Sequence, residues 1–301
     1  MRFVPLDARF LAVRTLLLQL DTSPHPSVFD RIVAYDGGAD EVMSYGGVTE
    51  DAVRDLVHGC IFTRGSKDLK HTAIFIGGTD MAAGERLLAK VRKAFFGPMK
   101  VSVMLDSNGS NTTAVAAVAR LQQAAGSVAG RRAVITAGTG PVGVRAAGLL
   151  AKAGAEVTIT SRRTVDRRVP DDIAERFGGT VRASTMADSS QAGRALEGAE
   201  LLLNCGPAGA CLVPRAAWAG RAGLRAAADL NAVPPVGIEG IEAADSGAQR
   251  DGVTVFGALG VGGLKMKIHR ACIAKLFEAN DLVLDAETIA EVARALTAPQ
   301  G

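Results

Sequence analysis

Aromatic residues make up only 4% of this 301-residue chain, and cysteine occurs four times. With so few large rings, Ala, Val, Leu and Ile must fill the interior. That favours helices laid on sheets, where small side chains permit close approach. Cys60, Cys205, Cys211 and Cys272 show neither C-x-x-C spacing nor paired histidines. This argues against a metal site or a disulfide framework and reads as reduced thiols in a cytoplasmic protein. No apolar run approaches the roughly 20 residues that span a bilayer. The N-terminal stretch carries Arg2, Arg9 and Arg14 and then Leu16-Leu17-Leu18, without the small-residue cleavage site of a signal peptide. A soluble chain with no membrane partner is expected. Charge of one sign is also missing: 34 basic residues face 31 acidic ones, interspersed, for a net +3. Nucleic-acid binding, which needs a concentrated positive face, is not indicated.

What is present in abundance is glycine, 35 residues, gathered at the ends of apolar segments and without a fixed period. The length allows two domains of ordinary size. Strand-like and helix-like segments alternate: a strand at 16–20, a short helix at 27–35, a strand at 41–45 and a helix from near Thr49. A strand at 73–76 ends in Gly77-Gly78, and Asp80 caps a helix in which Leu87, Leu88, Val91, Ala94 and Phe95 recur at helical spacing. Gly97-Pro98 stops that helix, and a strand follows at 101–105. Residues 106–113 read as a polar, turn-rich link into an Ala/Val-rich helix reaching about Ala125. Near the end, 264–280 reads as a long amphipathic helix with Ile268, Cys272, Leu276 and Phe277 on one side, and a last helix starts at Asp285. Both are expected to return to the first domain.

The most informative segment is 132–163. An apolar strand runs into Gly138-Thr139-Gly140-Pro141-Val142-Gly143, followed by a helix at 144–153 and a second strand at 156–160. In a β-α-β unit the first glycine permits the tight turn, the second lets backbone approach a pyrophosphate, and the third lets helix pack on strand. The helix N-terminus then presents N–H groups to the phosphates. With strand, loop, helix and strand in register, the pattern predicts a dinucleotide site. An NAD site needs a carboxylate at the end of the second strand to hold the ribose 2′-hydroxyl. Here stand Ser161, Arg162 and Arg163. Forked guanidinium donors suit a 2′-phosphate, so NADP is the expected cofactor. Further on, the buried strand 201–204 ends in Cys205, Gly206 and Pro207, and 226–230 leads into Asn231 and a double proline. The end of 201–204 and Asn231 are expected beside the nicotinamide; the double proline either walls that pocket or only stiffens the loop.

Longer, irregular blocks carry a resemblance. They are Pro26-Ser27-Val28-Phe29-Asp30, Tyr35-Asp36-Gly37-Gly38-Ala39-Asp40, and Gly78-Thr79-Asp80-Met81-Ala82-Ala83-Gly84-Glu85-Arg86. To these add Met104-Leu105-Asp106-Ser107-Asn108-Gly109-Ser110-Asn111-Thr112-Thr113 and Phe256-Gly257-Ala258-Leu259-Gly260-Val261-Gly262-Gly263-Leu264-Lys265. Over residues 17–293 the chain resembles the NADP-dependent methylene-tetrahydromethanopterin/methylene-tetrahydrofolate dehydrogenases of bacterial one-carbon metabolism. The resemblance implies a two-domain α/β protein: an open α/β substrate domain at 1–106, joined by C-terminal helices at 264–301, and a Rossmann-type NADP-binding domain with a parallel sheet at 107–263. It implies an interdomain active site, oxidation of the methylene bridge of a reduced pterin or folate carrier, and a homo-oligomer. The family's lysine falls on Lys265. The first dozen residues look like an extension, and 164–182 departs from the family.

Transfer of hydride from the methylene carbon requires alignment and exclusion of water more than a base. Lys265, on which the resemblance places the family's lysine, is expected to be catalytic and to position substrate, its alternative being an exposed lysine of a first helical turn. Asp21, Asp106, Asn108, Ser110 and Thr112 are expected to contact the substrate. Each of these five could equally cap a helix or form a turn. His25, His58, His71 and His269 show no partner pattern and read as structural or surface residues. Two alternatives stand beside this reading. A different NADP oxidoreductase of the shikimate-dehydrogenase type would not turn over methylene-tetrahydropterins. An NADP-sensing protein would turn over no pterin at all.

Overall fold

The computed structural model describes residues 13–298; the N-terminal extension inferred from the sequence falls outside them. The chain forms two compact units. One comprises the residues up to Gly109 together with His269–Asp285, the other Ser110–Ile268 together with the residues from Ala286 on.

The first unit alternates β1 (Leu16–Asp21), α1 (Val28–Asp36), β2 (Glu41–Tyr45), α2 (Val53–Ile61), β3 (Thr72–Gly77), α3 (Met81–Ala94) and β4 (Ser102–Leu105). Ser27 caps α1 by accepting the Asp30 N–H at 3.1 Å, and Asp80 caps α3 by accepting that of Ala83 at 3.1 Å. The helix expected near Thr49 begins at Val53. Glu50 lies outside it and pairs with Arg86 (2.9 Å) and Lys90 (3.7 Å) on α3. Leu18, Leu20, Ile74, Ile76, Val103 and Leu105 pack with Val53, Val57 and Ile61 of α2 and Leu87 and Val91 of α3. Burying each such side chain stabilises the unit by about 1.5–3 kcal/mol.

Most of the residues expected to link the domains are buried; those up to Gly109 belong to the first unit and those from Ser110 on to the second. Ser107–Gly109 is a single 3-10 turn and α4 (Ser110–Ala125) starts at once, so Asp106, Ser107, Ser110, Asn111 and Thr112 are fully enclosed. The glycine loop joins β5 (Arg132–Thr136) to α5 (Pro141–Lys152), which leads to β6 (Glu156–Ser161). The diverged stretch forms α6 (Arg168–Phe177) and β7 (Thr180–Thr185). The chain continues through α7 (Ala192–Ala195), β8 (Leu201–Asn204), α8 (Arg215–Trp218), β9 (Ala226–Asp229), β10 (Ser246–Arg250) and β11 (Val253–Phe256).

Next comes α9 (Ala258–Leu276), which starts six residues earlier than the hydrophobic pattern suggests because Gly257 and Gly260 seat its first turn on the backbone of 242–246. The short β12 (Val283–Leu284) then pairs with β4 in the first unit, and α10 (Ala286–Thr297) packs on α4 and α5 of the second. Of the segment 264–301 assigned to the first domain from sequence, only 269–285 lies there. The reason is the apolar face of α10, where Ile289 and Ala293 are buried against helices of the second unit.

The first sheet has the order β12-β4-β3-β1-β2 and is parallel throughout. The second has the order β10-β11-β9-β8-β5-β6-β7, with only β10 antiparallel. Leaving β10 aside, its strands follow the doubly wound 3-2-1-4-5-6 order of a Rossmann sheet. The first sheet switches direction between β1 and β3, the second between β5 and β8. At such points the connections diverge to opposite faces and leave a crevice outside the strand ends.

Candidate active site

At the β5–β8 switch point the glycine loop follows Thr136. Its tight turn is made by Ala137, at φ 51, and not by Gly138. Gly138 is needed for another reason: a Cβ there would lie 2.7 Å from Cβ of Ile159 on β6. At Gly143 a Cβ would meet Cα of Gly138 at 2.6 Å, so this glycine brings α5 onto the loop. Gly140 differs from both. A Cβ there would find only the Ala137 carbonyl, at 3.9 Å. The chain leaves that space open although its own packing does not require glycine, as a cradle for a pyrophosphate does. Pro141 occupies the first position of α5, where a missing N–H is harmless, and the N–H groups of Val142 and Gly143 remain for a ligand. Thr139 completes the loop.

At the end of β6, Ser161 is half-buried, and its hydroxyl accepts the Arg163 N–H at 3.5 Å. Arg162 and Arg163 are exposed and have no carboxylate partner among the described residues. The next two arginines are neutralised, Arg168 by Asp166 at 2.7 Å and Arg167 by Asp171 at 3.7 Å. Two uncompensated guanidiniums thus follow the second strand of the nucleotide unit, where a 2′-phosphate would be held.

Sequence reasoning missed a buried polar relay across the next strand ends. The Thr136 hydroxyl donates to Oδ1 of Asn204 (2.7 Å), whose Nδ2 donates to Oδ1 of Asp229 (2.7 Å). Asp229 also accepts the N–H groups of Asn231 (3.0 Å) and Ile238 (2.8 Å). Asn231 ties two loops together, donating its amide to the carbonyls of Pro207 (3.4 Å), after β8, and Pro235 (3.1 Å), and accepting the Val233 N–H (2.9 Å). Asn231 therefore organises the loop that carries the double proline. Gly237 makes room for the relay: a Cβ there would fall 1.8 Å from Nδ2 of Asn204. Gly206 donates its N–H to Asn204 at 3.1 Å, and Pro207 follows. Burial, reinforced by the Asp229 carboxylate, pushes the Cys205 thiol up to about 12. It stays protonated and offers no nucleophile.

The carboxyl ends of β1, β3 and β4 gather polar groups in the first unit. Both carboxylate oxygens of buried Asp21 accept backbone N–H groups, from Ser23 (2.8 Å) and Ser27 (3.0 Å), which fixes the loop after β1. Ser23 and Thr79 lie with hydroxyls 3.3 Å apart, and the Thr22 hydroxyl is buried without a partner. Asn108 sits at φ 55, its N–H donating to the Gly78 carbonyl at 2.6 Å. Asp106 is buried at the end of β4. The structure thus places Asp21, Asp106 and Asn108 in the first unit and Ser110 and Thr112 in the first turn of α4 in the second. Lys265 is half-buried on the part of α9 in the second unit. His269 is fully buried, its ring 5.5 Å from that of Phe75. Among the described residues no group of acidic, histidine or cysteine side chains could hold a metal ion.

Residues 28–108 match the family model described as methylene-tetrahydromethanopterin dehydrogenase, N-terminal. Across 93% of this chain and 98% of the relative, 52% of residues are identical to the bifunctional protein MdtA of Methylorubrum extorquens. The chain belongs to the methylene-tetrahydromethanopterin dehydrogenase family. A second member, the NAD(P)-dependent methylenetetrahydromethanopterin dehydrogenase of the same organism, is 32% identical over 90% of this chain and 95% of its own. Among solved structures, shikimate 5-dehydrogenase from Listeria monocytogenes, in complex with shikimate and NAD, is similar at TM-score 0.57. The likeness covers 93% of this chain and 96% of that one at 12% identity. Ornithine carbamoyltransferase from Pyrococcus furiosus is similar at TM-score 0.53 and 13% identity, covering 89% of this chain and 85% of that one. At these identities the likeness is one of fold.

Proposed function

We propose that this protein oxidises the methylene group of a reduced pterin carrier, methylene-tetrahydromethanopterin or methylene-tetrahydrofolate, to the methenyl form with NADP. The observation that carries this reading is the open cradle at Gly140 together with uncompensated Arg162 and Arg163, in a chain 52% identical to a family member over 93% of its length. A bound nicotinamide would accept a hydride at C4. The substrate loses that hydride and becomes a methenyl cation shared by two nitrogens, so no proton leaves the reacting carbon and no strong base is needed.

The chain's own residues then have three tasks. Gly138, Thr139, Gly140, Pro141, Val142 and Gly143 hold the pyrophosphate on backbone N–H groups. Ser161, Arg162 and Arg163 hold the 2′-phosphate. Cys205, Gly206 and Pro207 form the wall beside the nicotinamide, kept in place by Asn204, Asp229 and Asn231. Lys265 positions the pterin from α9. Asp106, Asn108, Ser110 and Thr112 supply further polar contacts, while Asp21 shapes the loop after β1. Alignment of this kind supplies much of the acceleration in a reaction without acid–base steps.

Steady-state kinetics with both methylene carriers and both nicotinamide cofactors test the reading. The expected result is turnover of at least one carrier with kcat/KM for NADP about tenfold or more above that for NAD. Absence of turnover with both carriers overturns the substrate, and preference for NAD overturns the role of the arginines.

A further inference from the structure

The second unit contains a cavity of about 570 Å³ lined by α4, α5, the first half of α9 and α10. It adjoins the C-terminal end of α5, whereas the glycine loop adjoins the N-terminal end, roughly 16 Å away along the helix. Its volume falls in the range of sites for small organic ligands. Val115, Leu149 and Leu264 give it an apolar floor.

The charges around it do not cancel. Lys152 pairs with Glu287, and Arg294 with Glu291 at 3.9 Å. Arg120 and Lys267 have no carboxylate partner among the described residues. The Arg120 guanidinium is held by neutral groups only. Nη1 donates to Oε1 of Gln123 (2.9 Å), Nη2 donates to the Gly260 carbonyl (3.3 Å), and the group lies 5.6 Å from the centre of the Phe256 ring. Its Nε is buried with no acceptor. An ordinary surface arginine satisfies all its donors with water or a carboxylate. This one is fixed, partly dehydrated and uncompensated at the edge of a ligand-sized space.

We infer that this cavity is a second binding site, for a small organic anion. The apolar body of the ligand lies on Val115, Leu149 and Leu264, and its acid group is taken by Arg120 and Lys267. Leu264 and Lys267 flank Lys265 on α9, so occupancy bears on the helix that carries that lysine. This last consequence rests on the proposed role of Lys265; the binding itself does not.

The probe is 8-anilinonaphthalene-1-sulfonate, an anion with an apolar body, titrated into the full chain saturated with NADP and followed by fluorescence. Saturable binding at one site per chain is expected. Arg120→Gln and Lys267→Glu should each weaken it at least about fivefold. Ala290→Phe, which fills the space without changing charge, should abolish it. Melting curves of the variants verify that each is folded. Three results overturn the inference: no saturable binding below about 1 mM, saturable binding that is seen only in a parallel titration without NADP, or folded variants that bind as the wild type does.

Discussion

At the scale of single residues, the glycine loop separates two requirements that a motif merges. Gly143→Ala forces a Cβ to within 2.6 Å of Gly138 Cα and should destabilise the fold by about 1–3 kcal/mol, read by urea denaturation. Gly140→Ala has room in the chain itself, so stability should stay within about 0.5 kcal/mol while cofactor affinity falls about tenfold or more. A loss of stability at Gly140 equal to that at Gly143 would mean that the open space is not a cradle. The arginines at the end of β6 make a cofactor-specific prediction. Replacing Arg162 and Arg163 together by Ala should remove charge-assisted bonds of about 1.5–3 kcal/mol, raising KM for NADP some tenfold to hundredfold and leaving that for NAD nearly unchanged. Lys265→Ala should lower kcat about a hundredfold with little change in NADP affinity, as expected of a misplaced substrate; near-normal turnover would remove Lys265 from the site.

At the scale of elements, the start of α9 depends on a residue that no motif marks. Asp245 accepts both Nε (2.6 Å) and Nη2 (2.8 Å) of Arg250, and its carbonyl accepts the Gly257 N–H at 2.8 Å just before the helix. Burial alone would raise the Asp245 carboxyl. The Arg250 hydrogen bonds and the Glu242 N–H outweigh it, so the carboxyl is held below its ordinary value. A depressed folded value means that this stabilisation is fully present above about pH 4, the unfolded value, and is lost as pH falls through the folded one. Arg250→Ala should therefore cost about 2 kcal/mol at neutral pH. The gap between wild type and variant should close in acid; a gap independent of pH would rule out the ion pair as its source.

Elements with apolar strands were legible in the sequence, from β1 through β5, β6, β8 and β9, because runs such as Leu201-Leu202-Leu203 permit few other readings. Others were not. β7 lies at a sheet edge with most of its residues exposed, so it carries no alternation to detect. The start of α4 is polar yet buried, and hydropathy reads such residues as a loop. In the candidate site the glycine loop and the arginines were readable from spacing. The Thr136–Asn204–Asp229 relay was not, because its members lie on three strands.

At the scale of the whole molecule, neither unit is a continuous stretch of chain. α10 covers α4 and α5, with Ile289 and Ala293 buried. Removing the residues from Ala286 on exposes this surface. The shortened protein should lose several kcal/mol of stability from buried side chains worth about 1.5–3 kcal/mol each, and should bind NADP weakly or not at all. Full cofactor binding by the shortened chain would show that α10 is dispensable to the unit.

The interleaving of the two units also sets a timetable for synthesis. Domains usually fold as units while the chain is being made, the N-terminal one first. Here β1 to β4 emerge early, but β12, which extends their sheet beside β4, is translated only after β5 to β11 of the other unit. During that interval one edge of the first sheet stays unpaired. The glycine loop likewise leaves the ribosome long before α10 arrives to close the helical layer beside it. The nascent chain therefore carries two unfinished cores at once, and the final segment completes both almost together.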